Sequence, residues 1–552
     1  MLRWDVSSGV LLSVALGSAL AIVITALLVL VLFRWLRHGR NFRRFLFGVA
    51  CLITLIALFY AEENARGKWA WNKFKREWEA KGETFDFASI VPPRVLDEQN
   101  FAATPIVAST YLTYFDRNGH RIQPSDTNIV NRLQMRLERQ DWSDSPASDD
   151  WTKGVMTDLK SWQNYYRLPV TNNSRWQFAT NEFPIAPQPQ SPAADILLAL
   201  SKYDSAIEEL REVSRLPYSR FPLTYDEADP AGILLPHLAI LKSLSRTLQL
   251  RAIAELQASQ TEKAFDDIKL TLRVIESIHT EPTVISQLVR MMMLQIILQP
   301  IWEGLANHQW TDVQLTSFGA ELGKLDFLAD HQSGLHWERT FDVKIIDNLR
   351  NSRRQINTLG NLEENDTAYS SSYQFQMGIA RFAPGGWFEQ NKLACCRMSF
   401  DLLVPIVNLK TRVVSPTVMM QATNTCNGIR LTPYNWLTRL LVPELANFSA
   451  RSARAQSFAD MAHIAIALER YHLAHGNFPD TLDPLTPQFI EKVPHDVIGG
   501  QPLKYHRTEN DRFVLYSVGW NERDDGGPVV LSKDGKTVNW KEGDWVWQLP
   551  PK

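Results

Sequence analysis

Two apolar runs near the start constrain this chain more than any other feature. Residues 10–33 read VLLSVALGSALAIVITALLVLVLF, without one charge, and residues 45–61 read FLFGVACLITLIALFYA. As helices at about 1.5 Å per residue they reach about 36 Å and about 25 Å, against a hydrocarbon core of about 30 Å. The first spans with tilt, and the second is marginal on length. Between them lies RWLRHGRNFRR, residues 34–44, with five arginines and no acid. The pattern predicts a transmembrane hairpin over residues 1–61 with a short basic loop.

Basic short loops stay in the cytoplasm. That rule places residues 62–552 outside it, on the periplasmic side of a bacterial inner membrane. Arg66, Lys68, Lys73, Lys75 and Arg76 follow the second run and pull the other way. No small-x-small cleavage site follows either run, so removal of the segment is not expected. Residues 62–84 read as a juxtamembrane amphipathic helix, with Trp71, Phe74 and Trp78 at helical spacing among lysines and arginines. Rings of this kind favour the headgroup level, so the helix either continues the second span or lies on the surface.

The remainder has the composition of a folded protein, with 45% hydrophobic and 21% charged residues. A net charge of −2 leaves no electrostatic footprint for nucleic acid. Cysteine is scarce. Beyond Cys51 in the second run, Cys395, Cys396 and Cys426 form an odd set, from which one disulfide to Cys426 is available in an oxidising compartment. No CxxC pair suggests zinc or thioredoxin-type chemistry.

Residues 85–192 are mixed and dotted with proline. Residues 107–115 look strand-like, DRNG at 116–119 is turn chemistry, and 141–150 is an acidic loop. PIAPQPQSP, residues 184–192, reads as a stiff linker. Residues 193–445 form an α-helical domain. Helical periodicity covers 193–215, 235–258, 261–278 and 284–305, with Pro300 expected to kink or end the last. Helices are also expected over 315–328 and 334–351. The polar stretch 367–374 carries no chemistry, and APGGW at 383–387 reads as a flexible turn. The pair at 235–278, with Ala252 and Ala264 where backbones approach, resembles a tetratricopeptide-type helix hairpin. Only one such unit is visible, and one unit cannot bury its faces alone.

Residues 446–552 carry the most specific signal. An amphipathic helix over 453–475 has Phe458, Met461, Ile464, Leu468 and Tyr471 on its apolar stripe and stops at Gly476. A proline-rich turn follows, then two strands joined by TEND at 508–511. ALERYHLAHGNFPDTLDPL, the VP-x-D step ending at Asp496, LKY at 503–505, LYSVG at 515–519 and a late acidic loop make this order resemble the C-terminal domain of the major pseudopilin of type II secretion. The resemblance covers about the last hundred residues. It implies a structural calcium ion held by Asp524, Asp525 and Asp544 with backbone carbonyls near Ser517, a hard cation on oxygen ligands. Members of that family begin with a processed leader and one hydrophobic helix running directly into this domain. Here no such leader is seen and the hairpin lies roughly four hundred residues earlier, so polymerisation as a pilin is not expected.

Local catalytic signatures are missing. HExxH, GxSxG and GxGxxG do not occur, and Gly535-Lys536-Thr537 lacks the upstream glycine of a phosphate loop, which is Val530. His463, His472 and His475 share one helix but show no carboxylate partner in register. Glu276, His279 and Glu281 make a loose acid–base set. The fold class expected is mainly α with a C-terminal α+β module, comprising the hairpin, a central α-helical domain, and a C-terminal helix with a small antiparallel sheet. The function expected is that of an anchored envelope protein that binds protein partners or acts as a scaffold without catalysis. The alternative is an anchored hydrolase whose site gathers acids and histidines of the helical domain.

Overall fold

A computed structural model describes residues 23, 27, 31, 34, 35, 37–112, 131–139, 146, 150–168, 183–223, 225, 232–351, 382–441, 445–508 and 511–550. Most of the run 10–33, the turn 116–119, most of the loop 141–150 and the stretch 367–374 lie outside these residues. The chain is mainly α-helical, with small antiparallel sheets toward the C-terminus. It divides into two compact units, residues 1–73 with 365–390, and residues 74–364 with 391–552.

Helix α1, Gly39–Glu79, joins the second apolar run and the amphipathic stretch into one helix of 41 residues. At the usual rise that is about 60 Å. The basic loop expected over residues 34–44 is shorter than its sequence suggests. Residues 37 and 38 turn, and Arg40, Arg43 and Arg44 already belong to α1. Arginine is a good helix former, so nothing in those positions stops the helix. The apolar window of α1 has a mean hydropathy of 2.2 and none of it is buried. Phe47, Leu52, Ile53, Leu55 and Leu58 all face outward. A helix of this length and composition suits a bilayer and supports membrane association.

In the first unit, α1 is gripped by residues 382–390. Asn64 Oδ1 accepts from the Gly386 amide at 2.8 Å, and Glu63 Oε2 accepts from Trp387 Nε1 at 3.0 Å. Arg66 closes on the other oxygen of Glu63 at 2.5 Å. Gly386 makes this approach achievable, because a Cβ there would sit 1.9 Å from the Glu63 carbonyl oxygen. APGGW is therefore a close backbone crossing and the start of a helix, not a flexible turn.

The second unit is a helical assembly capped by a sheet. Its helices are α2 (Leu159–Arg167), α3 (Pro192–Leu200), α4 (Asp204–Val213), α5 (Pro236–Gln257), α6 (Thr261–Ser277), α7 (Val284–Ala306), α8 (Asp312–Leu322) and α9 (Phe327–Asn351). Helix α10 (Gly385–Met398) enters it, followed by α11 (Pro416–Gly428), α12 (Trp436–Leu441) and α13 (Leu445–His475). Strands β1 (Lys504–Thr508), β2 (Arg512–Ser517) and β3 (Trp545–Gln548) form an antiparallel sheet in sequence order. Helices α5 and α6 pack together across a short turn, with Ala252 and Ala264 fully buried. Helix α7 is apolar enough to be mistaken for a span, but 72% of that window is buried in protein. It passes through Pro300 without ending, since Pro300 and its neighbours lie in the core and packing outweighs the lost hydrogen bond.

Other local expectations yield to packing. Residues 105–108 are a turn of helix rather than strand. Pro105 opens it, and Ser109 and Thr110 donate to the carbonyls of Ile106 and Val107. The stretch 184–192 does not separate domains. Gln163 Nε2 donates to the Gln190 carbonyl at 2.9 Å, and Phe183 joins a core shared by α2, α3 and α5. The region 193–215 is two helices with a tight turn at Ser201–Tyr203.

Helix α13 runs through the centre, packing on α7, α8 and α9 and on strands β2 and β3. Trp151 lies between its Phe458 and Trp547 of β3, each ring centroid 4.8 Å away. Residues 101–151 and 448–549 thus share one continuous core with the central helices, while residues 159–183 pack in a second cluster with α3 and α5.

Gly386→Val is expected to open the grip on α1. The added atoms meet backbone, which cannot move aside as a side chain can, so the cost reaches at least the about 1–3 kcal/mol of overpacking. Limited proteolysis within residues 382–390 of the detergent-solubilised chain reads it. A cleavage rate equal to that of the wild type contradicts the crossing.

Candidate functional site

A cavity of about 1060 Å³ is a groove between α11, α13 and the segment that joins β2 to β3. Its volume lies at the upper end of small-ligand sites, which run to about 1,000 Å³. Sequence local to each wall explains its shape. Helix α11 starts at Ser415, whose hydroxyl caps the Val418 amide, and presents Met419, Met420 and Thr423. Helix α13 presents Arg451 and Arg454, three residues apart and hence on one face. The sheet side supplies Trp520, Trp540 and Trp545. Trp520 and Trp545 are stacked at 6.2 Å, and Trp545 Nε1 donates to the Trp540 carbonyl at 3.3 Å.

Charge in the groove is one-sided. Arg451, Arg454, Arg523 and Lys541 line it, and none forms an ion pair with a described residue. Glu522 is the lone carboxylate among the described lining residues, and it accepts from Thr417 Oγ1 at 2.6 Å. Arg454 is the sharpest case. Its guanidinium lies over the Trp540 ring at 4.7 Å, while its Nε is buried without a hydrogen-bond partner. Burial, with Arg451 adding to it, pulls the guanidinium down to about 10. A desolvated cation with no counter-charge is costly and calls for an anion. Between the cations, Asn424, Asn521 and Asn539 add amides that both donate and accept.

The sequence-predicted metal residues lie between β2 and β3, outside the lining of the groove. Asp544 is buried and accepts from the Gly527 amide at 2.7 Å. The oxygens of Asp524 meet Tyr516 Oη at 3.0 Å and Lys504 Nζ at 3.2 Å. Asp525 accepts from Asn521 Nδ2 at 2.8 Å. Each carboxylate thus has its own partner, and the three do not form a cluster of ligand distance. Near Ser517 the ordering group is Asp496. It is buried and accepts from the Ser517 hydroxyl and the Ile498 and Val518 amides, tying the VP-x-D step to β2.

All the cysteines are free thiols, so the expected disulfide to Cys426 is not formed. Cys395 and Cys396 are buried, and Cys395 Sγ donates to Asp342 Oδ2 at 3.1 Å. Burial pushes both thiols well above their ordinary range. Burial also raises Asp342 to about 7, against the pull of that Cys395 bond. The histidines of α13 diverge. His463 lies against Gly319 and Gly323 of α8, His475 stacks on Tyr471, and His472 bonds Asp511. The set Glu276, His279 and Glu281 splits. His279 bridges Glu276 and Asp330, while Glu281 bonds the buried His237 at 2.7 Å.

A second cavity, about 400 Å³, holds an acid and a histidine. Asp460 accepts from Gln456 Nε2 at 2.9 Å, and burial raises its carboxyl to about 7. Burial lowers His463, one turn away, and so favours its neutral imidazole. Asp326 and Arg412 pair at its rim at 2.6 Å. An acid raised toward neutrality and a histidine held toward its neutral form, lining one cavity, suit proton transfer. The spacing of Asp460 and His463 was legible in the sequence, but their shared burial was not.

Asp342 makes stability fall as pH rises toward neutrality. Its carboxyl ionises at about 7 folded and near 3.8 unfolded. Between these values the folded chain keeps a proton that the unfolded chain has lost, so stability falls as pH rises. The loss is about 1.4 kcal/mol per pH unit. Asp342→Asn, which still accepts from Cys395, is expected to gain on the wild type steadily from pH 4 to 7 and to level off above. Melting temperatures of the detergent-solubilised chain across that range test this, and a constant offset refutes it. No protein-family model, no curated protein and no solved structure matches this chain.

Proposed function

We propose that the protein is a membrane-anchored, non-catalytic envelope protein whose second unit binds an acidic saccharide in the tryptophan groove. The desolvated, uncompensated Arg454 over Trp540 carries this reading. A uronate carboxylate supplies the missing charge. The flat C–H faces of sugar rings suit Trp520 and Trp540, and hydroxyls suit the amides of Asn424 and Asn539. The apolar face of α1 supports the anchor, and the arginines at residues 34–44 support a periplasmic position for the binding unit. The order of helix, proline-rich turn and sheet after residue 445 remains in keeping with kinship to the pseudopilin domain, as a docked module and not a filament subunit.

The probe is a polyuronate oligosaccharide against a neutral glucan of equal length, with tryptophan fluorescence of the full chain as the readout. Binding of the uronate alone is expected, weakened at least tenfold in Arg454→Met. That variant is expected to be about 1 kcal/mol more stable, since it removes an unpaired buried charge. Equal binding of the two sugars, or full affinity in Arg454→Met, overturns the reading. Asp460 and His463 in the second cavity favour a hydrolase as the second reading. Turnover of the same polyuronate, lost in Asp460→Asn, would move the protein to it.

The side of the membrane is tested by reporters fused after Lys552. An alkaline phosphatase fusion is expected to be active and a fluorescent protein that matures only inside to be dark. The reverse pattern rejects the periplasmic position.

A further inference from the structure

Away from both cavities, the end of α7 meets the end of α13. His308 follows Ala306, the last residue of α7, and Glu469 and His472 lie one turn apart on α13. One ligand atom from each of these three side chains falls within 4.8 Å of the others. They are the one such group of histidine, cysteine and carboxylate side chains among the described residues.

We infer that His308, Glu469 and His472 bind a divalent transition metal of the zinc class. Imidazole with carboxylate selects zinc, cobalt or nickel over calcium or magnesium, which prefer oxygen alone. Glu469 is almost completely buried, and its Oε1 lies 2.8 Å from His308 Nδ1. Behind His472 stands a carboxylate from a third element. Asp511 Oδ2 lies 3.1 Å from His472 Nε2. With the proton held on Nε2, Nδ1 becomes the nitrogen with a free lone pair. That Nδ1 is buried and has no hydrogen-bond partner. A carboxylate on the far nitrogen is how proteins fix the tautomer of a metal-binding histidine.

The rings of His308 and His472 stack at 4.6 Å, 18° from parallel. Imidazole lone pairs lie in the ring plane, and two nearly parallel planes do not meet close by, so one ring must turn for both to reach an ion. His308 is the exposed member, at 41% of its side chain, and turns at little cost. His308 and Asp511 also hold left-handed backbone, with φ of 51° and 50°. Neither is glycine, and such positions persist where surrounding contacts hold them. Three protein ligands leave a fourth tetrahedral position to solvent on the His308 side.

The full chain, freed of any affinity tag and stripped with chelator, is titrated with zinc and separately with cobalt(II). One metal per chain is expected, with the intense visible absorption of tetrahedral cobalt. His308→Asn keeps the left-handed backbone and the fold, and is expected to lose at least tenfold in zinc affinity. Asp511→Asn is expected to lose about 10–100-fold, as for other residues that support a ligand from behind. Wild-type affinity no greater than that of His308→Asn overturns the inference. So does cobalt binding with only the pale octahedral spectrum of a hydrated surface ion. Circular dichroism of each variant, matching the wild type, separates lost ligands from lost fold.

Discussion

The second unit depends on one buried seam, where α13 meets α7 and the last strand. Trp151 fills it between Phe458 and Trp547, and Trp302 Nε1 donates to the Gln548 carbonyl at 2.8 Å. Each ring buries a large apolar area at small entropic cost, and the indole N–H finds a carbonyl. Because α13 also packs on α8 and α9, its 31 residues hold both the second cavity and the cationic groove in place. The C-terminal sheet is therefore the lid of the helical core.

Against that apolar frame the unit carries many polar groups out of water. Asp195, Asp267 and Glu255 are countered by Arg167, Arg211 and Arg251. Arg290 is fully buried and is held by Asp330, Gln287 and the Ile275 carbonyl. Such networks are costly to break because either partner alone would be stranded. Arg454 stands apart from them. Where the buried Arg139, Arg290 and Arg339 each have a carboxylate or carbonyl, it has an aromatic face and an open groove. The contrast with Arg290, six helices earlier, is what makes Arg454 read as a binding group and not as a structural one.

Much of the fold was legible in periodicity. The helices at 236–257, 261–277 and 284–306 begin and end within a few residues of the apolar pattern, as expected of long amphipathic or buried segments. The hairpin of β1 and β2 follows its turn at 508–511. Segments that depend on distant partners were not legible. Residues 105–108 carry β-branched residues yet turn, because nearby hydroxyls serve the backbone locally. Residues 184–192 have the composition of a linker yet are pinned by Gln163. The three late aspartates look like a ligand set in sequence, but Lys504 and Tyr516 bond Asp524, Asn521 bonds Asp525 and the Gly527 amide bonds Asp544. Glu469 lay in register with His472 all along, three residues before it, but His308 is 161 residues from Glu469 and no local pattern links them.

By itself, the sequence determined the lengths, faces and polarity of the elements. These follow from local backbone preferences and from hydrophobic spacing. It thus settled a long apolar helix before a helical body, and a helix-plus-sheet module at the end. Tertiary structure alone decided which charges are left uncompensated and which side chains meet. Desolvation and charge pairing depend on atoms brought together from across hundreds of residues. Arg451 and Arg454 differ little as letters on one helix. Only the fold, by laying Trp540 over one of them and leaving the other in solvent, makes them physically different.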